Sequence, residues 1–123
     1  MVMNVNETGG ELTVTDSLVT IAGGATTSAA ASLAIPVTAR YVAKTTGGAE
    51  ALTLANGKPG QKITIVLVVD GGDGTLTPTT MSGFATIVLA DAGDTVTLEY
   101  VDDTTGWIIV GAAGVAAPPV ITV

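Results

Sequence analysis

The chain has 123 residues, the size of one domain, and its formal net charge of −7 disfavours nucleic acid and anionic lipid as partners. Hydrophobic residues make up 47% of the sequence but aromatic residues only 3%, so the core has to be built mainly from small aliphatic side chains. The absence of cysteine and histidine excludes disulfides, thiol chemistry and the commonest general base of enzymes.

Residues 1–10 lack the basic and apolar segments of a secretory signal, and we expect them to form an N-terminal arm. Val2 and Val5 are its candidate contact residues toward a subunit or a larger surface. Residues 11–21 alternate between polar and apolar side chains, which is typical of a strand. The alternation changes parity near Asp16, so we expect a bulge or bend there.

The middle of the chain contains further strand-like segments separated by glycine-rich turn signals. The clearest is 95–101, where one parity is apolar and the other carries threonine and glutamate. Residues 61–69 end as a continuous apolar run, which predicts a strand buried on both faces. Residues 26–33 are rich in alanine, serine and threonine and predict a loop or one short helix. The predicted strands of this region cover residues 37–44, 51–54, 61–69, 84–89, 95–101 and 107–110.

The C-terminal tail contains two consecutive prolines at 118 and 119 and no charged side chain. Prolines are incompatible with a central strand and favour an extended arm, which we assign to residues 115–123. We expect the arm to lie on a neighbouring subunit, because an uncharged apolar segment gains from leaving water; a disordered tail is the alternative. Its candidate contact residues are Val115, Val120 and Ile121.

These elements predict an all-β domain over residues 11–114, arranged as a compact antiparallel sandwich or a small barrel, with a β-helix-like prism as an alternative. A core of small aliphatic side chains stabilises a lone chain only weakly. Burial of further apolar surface between subunits compensates for this, so we expect an oligomer with extended termini.

Two pairs of aspartates are candidates for acid–base catalysis, Asp91 with Asp94 and Asp102 with Asp103. Both pairs border turn residues, where aspartate commonly caps its own backbone, and we favour that interpretation. Residues 70–74, Asp-Gly-Gly-Asp-Gly, resemble a calcium loop but lack the spacing of an EF-hand, so a hairpin turn is favoured. We expect no enzymatic activity, no metal and no cofactor.

Trp107 is the only tryptophan of the chain and lies between a Thr-Gly turn and an apolar run. Such a large side chain serves either as a core residue or as an interface anchor. Both roles stay open at this point, and Trp107 is included among the candidate interface residues.

A pattern of turns and short strands extends from residue 51 to residue 114. It consists of Leu52-Thr-Leu54, Asn56-Gly57, Pro59-Gly-Gln61, residues 63–69, Thr77-Pro-Thr79, Asp91-Ala-Gly-Asp-Thr-Val-Thr-Leu98 and Gly106-Trp-Ile-Ile-Val-Gly111. This pattern resembles a module of tailed-bacteriophage structural proteins, including capsid decoration (cement) proteins and fibre-type proteins. The resemblance covers about half of the chain and implies a β-rich, commonly trimeric protein with no catalytic residues to transfer.

Composition and resemblance together predict a virion structural protein: a capsid decoration protein that forms a homotrimer and binds the major capsid protein shell on the outside of a phage head. Such a protein is assembled in the host cytoplasm and needs neither nucleic acid nor a membrane as a partner. We expect the N-terminal arm to make the contact with the shell. One alternative is a fibre, spike or adhesin-type module that binds a host surface glycan, and another is an enzyme with a carboxylate pair.

Overall fold

The computed structural model describes residues 25–123. The predicted arm of residues 1–10, with Val2 and Val5, and the predicted strand of residues 11–21 lie outside the described residues. The described part contains nine β-strands and no helix, as an all-β fold requires. The strands are β1 (Thr26–Ser28), β2 (Tyr41–Thr45), β3 (Glu50–Leu54), β4 (Lys62–Val69), β5 (Gly74–Pro78), β6 (Thr86–Leu89), β7 (Thr95–Tyr100), β8 (Trp107–Ala113) and β9 (Val120–Thr122).

The nine strands form two sheets that enclose one hydrophobic core. In the first sheet the spatial order is β1-β2-β4-β7-β8, and in the second it is β3-β5-β6-β9. Neither sheet closes on itself. The sandwich-like arrangement is therefore confirmed for the described residues, and the small barrel is not formed.

The two sheets are mixed, which corrects the prediction of an antiparallel sandwich. The pairs β1·β2, β2·β4 and β3·β5 are parallel, whereas β4·β7, β5·β6, β6·β9 and β7·β8 are antiparallel. From β2 to β5 the chain changes sheet after each strand, so it returns to the same sheet in the same direction. This is the path of a β-helix, and it takes the place of hairpins over residues 41–78.

Four short loops, which we call corners, carry the chain between the sheets at one end of the strands, and the loop of residues 55–61 makes a fifth crossing at the other end. The corners are residues 46–49, 70–73, 90–94 and 114–119. All four lie at the same end of the strands. The strands that precede a corner (β2, β4, β6 and β8) run toward this end, and the strands that follow one (β3, β5, β7 and β9) run away from it. Each corner and its two strands form one rung, and the β8–β9 rung is the last of the stack.

Glycine allows neighbouring corners to pack closely. The Thr46 hydroxyl donates to the carbonyl oxygen of Gly72 at 2.6 Å and accepts from the backbone N–H of Gly71 at 3.0 Å. A Cβ atom on Gly71 would lie 2.2 Å from the carbonyl oxygen of Thr46. Residues 70–73 therefore form a corner between sheets, which corrects the hairpin turn expected for this glycine-rich segment.

The core residues follow the strand period of two. On β4, Ile63, Ile65 and Leu67 have no exposed surface, and β7 alternates in the same way, as predicted. Val68 and Val69 at the end of β4 are about half exposed, at 47% and 53%. The prediction that this end of the strand is buried on both faces is wrong, because the outer face of the first sheet is open here.

Three short strands were not predicted. β1 replaces the loop or helix expected for residues 26–33, and it forms a parallel edge pair with β2. β5 has Leu76 as its only large aliphatic side chain. β9 pairs with β6, and the N–H of Ala85 donates to the carbonyl of Thr122 at 2.7 Å. Residues 120–122 of the predicted C-terminal arm therefore lie on their own second sheet, which corrects their placement on a neighbouring subunit.

Candidate assembly surface

Trp107 is a core residue at the end of the strands opposite the corners. Its ring packs edge-on against Tyr100, with ring centroids 5.2 Å apart, and its Nε1 donates to the carbonyl of Ala55 at 3.0 Å. Its backbone N–H donates to the carbonyl of Thr80 at 2.9 Å. Since the side chain has no exposed surface, it cannot contact a neighbour. This corrects the inclusion of Trp107 among the interface candidates.

Asp102 and Asp103 stabilise the loop between β7 and β8. The backbone N–H groups of Thr105 and Thr104 donate to Asp102 Oδ1 at 2.6 and 3.0 Å, and these bonds hold the pKa of Asp102 below its usual value. The Tyr100 hydroxyl donates to Asp103 Oδ1 at 2.5 Å. Burial, and then the Asp103 carboxylate, raise the pKa of Tyr100 to about 12.

Asp94 stabilises the corner between β6 and β7. Its Oδ2 accepts from the N–H groups of Ala90 and Asp91 at 2.8 and 3.2 Å, and the residue is 1% exposed. At the next corner, Asp70 Oδ1 accepts from the N–H of Gly72 at 3.0 Å. Within residues 25–123 no group of three or more acidic side chains is placed to hold a metal ion. The contacts of these aspartates are those of turn-stabilising residues.

One ion pair is buried beside the corners. The Lys44 ammonium has no exposed surface, and its three donors reach Glu50 Oε1 at 2.8 Å and the carbonyls of Ala29 and Ser32 at 2.9 and 2.8 Å. Glu50 Oε2 accepts from the N–H of Gly47 at 2.7 Å. Lys44, followed by the Gly47 N–H, lowers the pKa of Glu50. The pair joins three successive segments of the stack. The sequence did not predict it, because the alternation of polar and apolar residues in β2 and β3 does not indicate that the Lys44 side chain points inward.

Two depressions of about 390 Å³ each flank Glu50, and both are open to solvent. Small side chains line them, which leaves them shallow and without a convergent set of polar groups. Neither has the enclosed, mostly apolar shape of a small-molecule site. The lining residues beside Glu50 are Ala49, Ala51, Asp73 and Thr75 in one depression and Ala30, Ala31, Gly47, Gly48 and Ala49 in the other.

The last rung of the stack forms a charge-free end, which we define as residues 104–123. No side chain after Asp103 carries a charge. The strand β8 forms an edge of the first sheet and β9 an edge of the second. Edge strands of soluble proteins usually carry charges or inward-pointing polar residues that discourage pairing, and β8 has none.

Large apolar side chains are concentrated at this charge-free end. Half of the exposed large hydrophobic side chains in the described residues belong to it. The predicted contact residues Val115, Val120 and Ile121 are 88%, 56% and 43% exposed. Val110 and Val123, which the sequence analysis did not single out, are 47% and 102% exposed and extend the same surface. Its apolar composition is typical of a protein–protein contact.

The strand-pairing register places three of the predicted contact residues on one rung. Val120 lies opposite Val88 and Ile121 opposite Ile87, while Val115 lies in the adjoining corner. The structure separates this group from Trp107 and describes neither Val2 nor Val5. Apart from the buried Trp107, the described candidates therefore form one surface at the C-terminal end of the stack.

No helix in residues 25–123 is both long enough and apolar enough to cross a membrane. No protein-family model matches the chain, and no curated protein matches it significantly either.

Proposed function

We propose that this chain is a virion structural protein: a capsid decoration protein whose homotrimer binds the outer surface of a phage head and stabilises it. The observation that carries the proposal is the charge-free end, where an unprotected edge strand and five exposed valine and isoleucine side chains lie together. A surface of this kind is stable in water when a protein neighbour covers it. The resemblance of residues 51–114 to phage structural modules is the reason for proposing a phage head as the assembly.

The all-β architecture suits a rigid part of a particle. Two sheets and stacked corners hold the chain, and the aspartates with assigned hydrogen bonds stabilise turns. A trimer placed on a threefold position of an icosahedral lattice binds through three equivalent contacts at once. Several weak contacts then act together, so each added trimer ties neighbouring shell proteins to one another.

A glycan-binding fibre module receives less support from the side chains. All four aromatic residues lie in the described part, and Phe84, Tyr100 and Trp107 are buried. Tyr41 is 51% exposed, but the Arg40 guanidinium lies over its ring at 5.9 Å. Sugar-binding surfaces commonly use open aromatic faces, and the described residues offer none beyond Tyr41.

The test is co-sedimentation of the purified chain with empty heads that lack it, taken from the phage that encodes it. The proposal predicts saturable binding at a ratio that fits trimers at lattice positions, and heads that resist heating better once coated. A chain that stays in the supernatant at all concentrations would refute the decoration role. Heads from an unrelated phage serve as the control for adventitious adsorption.

A further inference from the structure

The outer face of the second sheet is built from two rows of small or β-branched residues that run across all four strands. Outward-facing positions alternate with the buried ones along each strand. The pairing register aligns one row as Ala51, Thr75, Val88 and Val120. Continued by one residue, it aligns the other row as Thr53, Thr77, Thr86 and Thr122. We call these eight residues the threonine face.

The threonine face carries no charge, in contrast with the outer face of the first sheet. There Lys62 and Glu99 lie opposite each other on β4 and β7. Glu50, at the start of β3, points inward to Lys44 and does not reach the threonine face. Because no charged group would have to leave water, the two rows across this sheet can be covered by a protein neighbour without the cost of burying an unpaired charge.

The size of the threonine face limits what can cover it. Four strands about 4.8 Å apart, with five residues of about 3.3 Å each, span roughly 300 Å². Stable protein contacts bury about 800 Å² on each partner. The face alone is too small for such a contact, but it is continuous with the charge-free end through Val120, which belongs to both. Together they form one uncharged surface around the last rung.

We propose that the threonine face and the adjoining charge-free end are the contact between copies of this chain, so that the second sheets of a homotrimer face its common axis. The inference rests on the proposed function for its threefold symmetry and assigns the trimer contact to named residues. Rows of small and β-branched side chains are surfaces that sheets bury when they pack against one another. Around a threefold axis each copy contacts its two neighbours through two different parts of its surface, and here both parts, the threonine face and the charge-free end, are uncharged.

The test compares lysine substitutions on the outer face of the second sheet with one on the outer face of the first sheet. Thr77→Lys places an ammonium in the middle of the threonine face, on the interior strand β5, where the residue is exposed. The matched control, Thr45→Lys, places the same group on the outer side of the interior strand β2. Thr53→Lys is a second variant at an exposed face position. Circular dichroism and a thermal melt establish that each variant is folded.

Light scattering after size exclusion gives the mass of each variant, and co-sedimentation with empty heads gives shell binding. We expect Thr77→Lys and Thr53→Lys to raise the concentration at which half of the chain is trimeric by at least about tenfold, because a buried unpaired ammonium is costly. Thr45→Lys is expected to leave the mass unchanged.

The two readouts separate the inference from the proposed function. A trimer that Thr77→Lys dissociates, in a wild-type chain that binds no heads, supports the contact and refutes the decoration role. If Thr77→Lys stays trimeric, the inference is overturned, and if it has also lost head binding the threonine face belongs to the shell contact instead. A wild-type chain that is monomeric but binds heads likewise overturns the inference.

Discussion

Gly71 is the residue on which the close packing of two corners depends most directly. A methyl group there would overlap the carbonyl oxygen of Thr46, at 2.2 Å, whereas a Cβ on Gly48 in the neighbouring corner meets no atom within 4 Å. We expect Gly71→Ala to destabilise the fold by about 1–3 kcal/mol and Gly48→Ala to change little. Urea denaturation of both variants checks this, and equal stabilities would contradict the corner packing.

Tyr100 gives a titration that reports the environment of its hydroxyl. In a Tyr41→Phe background it is the only tyrosine, so the ultraviolet absorbance of tyrosinate follows it alone. We expect a midpoint near pH 12, and a lower one after Asp103→Asn, since the neighbouring carboxylate opposes ionisation. Because the folded pKa is the higher one, the stability it contributes is complete below about pH 10 and is lost as the pH rises through about 12. A midpoint near pH 10 with Asp103 present would contradict the buried hydrogen bond.

At the residue scale the sequence located part of the candidate surface. Val115, Val120 and Ile121 could be predicted because they lie in a charge-free segment, which is a local property of the sequence. Trp107 could not be assigned, because a lone aromatic side chain fits a core and an interface equally well until its neighbours are known. The threonine face was missed because its rows join residues from four strands that are distant in sequence.

At the scale of elements, the Lys44–Glu50 pair connects the β2–β3 rung to the segment before it. We expect Lys44→Met to lower the urea midpoint clearly, since it leaves the carbonyls of Ala29 and Ser32 and the Glu50 carboxylate without their donor. The exposed control Lys62→Met should stay within about 0.5 kcal/mol of the parent.

The pair also makes stability depend on acid. The pKa of Glu50 is lowered in the fold, so its contribution is present at neutral pH and is lost as the pH falls through the folded pKa. The double variant Lys44→Met with Glu50→Gln removes both the charge and this acid-side loss, and we expect it to recover part of the stability of Lys44→Met. A double variant no better than the single one would show that the two groups are not coupled.

The elements themselves were predictable where alternation is long. β7 and the first part of β4 follow from their period of two, and their predicted bounds differ from the observed ones by one residue. β1, β5 and β9 have five residues or fewer, with at most two large aliphatic side chains each, so they carry little pattern. Parallel pairing could not be predicted, since it depends on the chain changing sheets at glycine corners that resemble hairpin turns in the sequence.

At the scale of the whole molecule, the distribution of charged side chains distinguishes the surface that the proposed trimer buries from the surface that it leaves in water. The exposed charges of the described residues lie on loops, corners and the first sheet, while the threonine face and the charge-free end have none. Leucine, isoleucine and valine fill the core between the sheets, together with Phe84, Tyr100 and Trp107. A homotrimer that buries the uncharged surface adds further apolar burial and leaves acidic groups in water.

The mass of the wild-type chain in solution tests this account most directly. Light scattering after size exclusion should give three times the 12.1 kDa of one chain, about 36 kDa, over micromolar concentrations. Because the contact is uncharged, the trimer should persist in about 1 M NaCl, where screening removes most surface electrostatics. A mass of 12.1 kDa throughout that range, for a chain that remains folded, would contradict it.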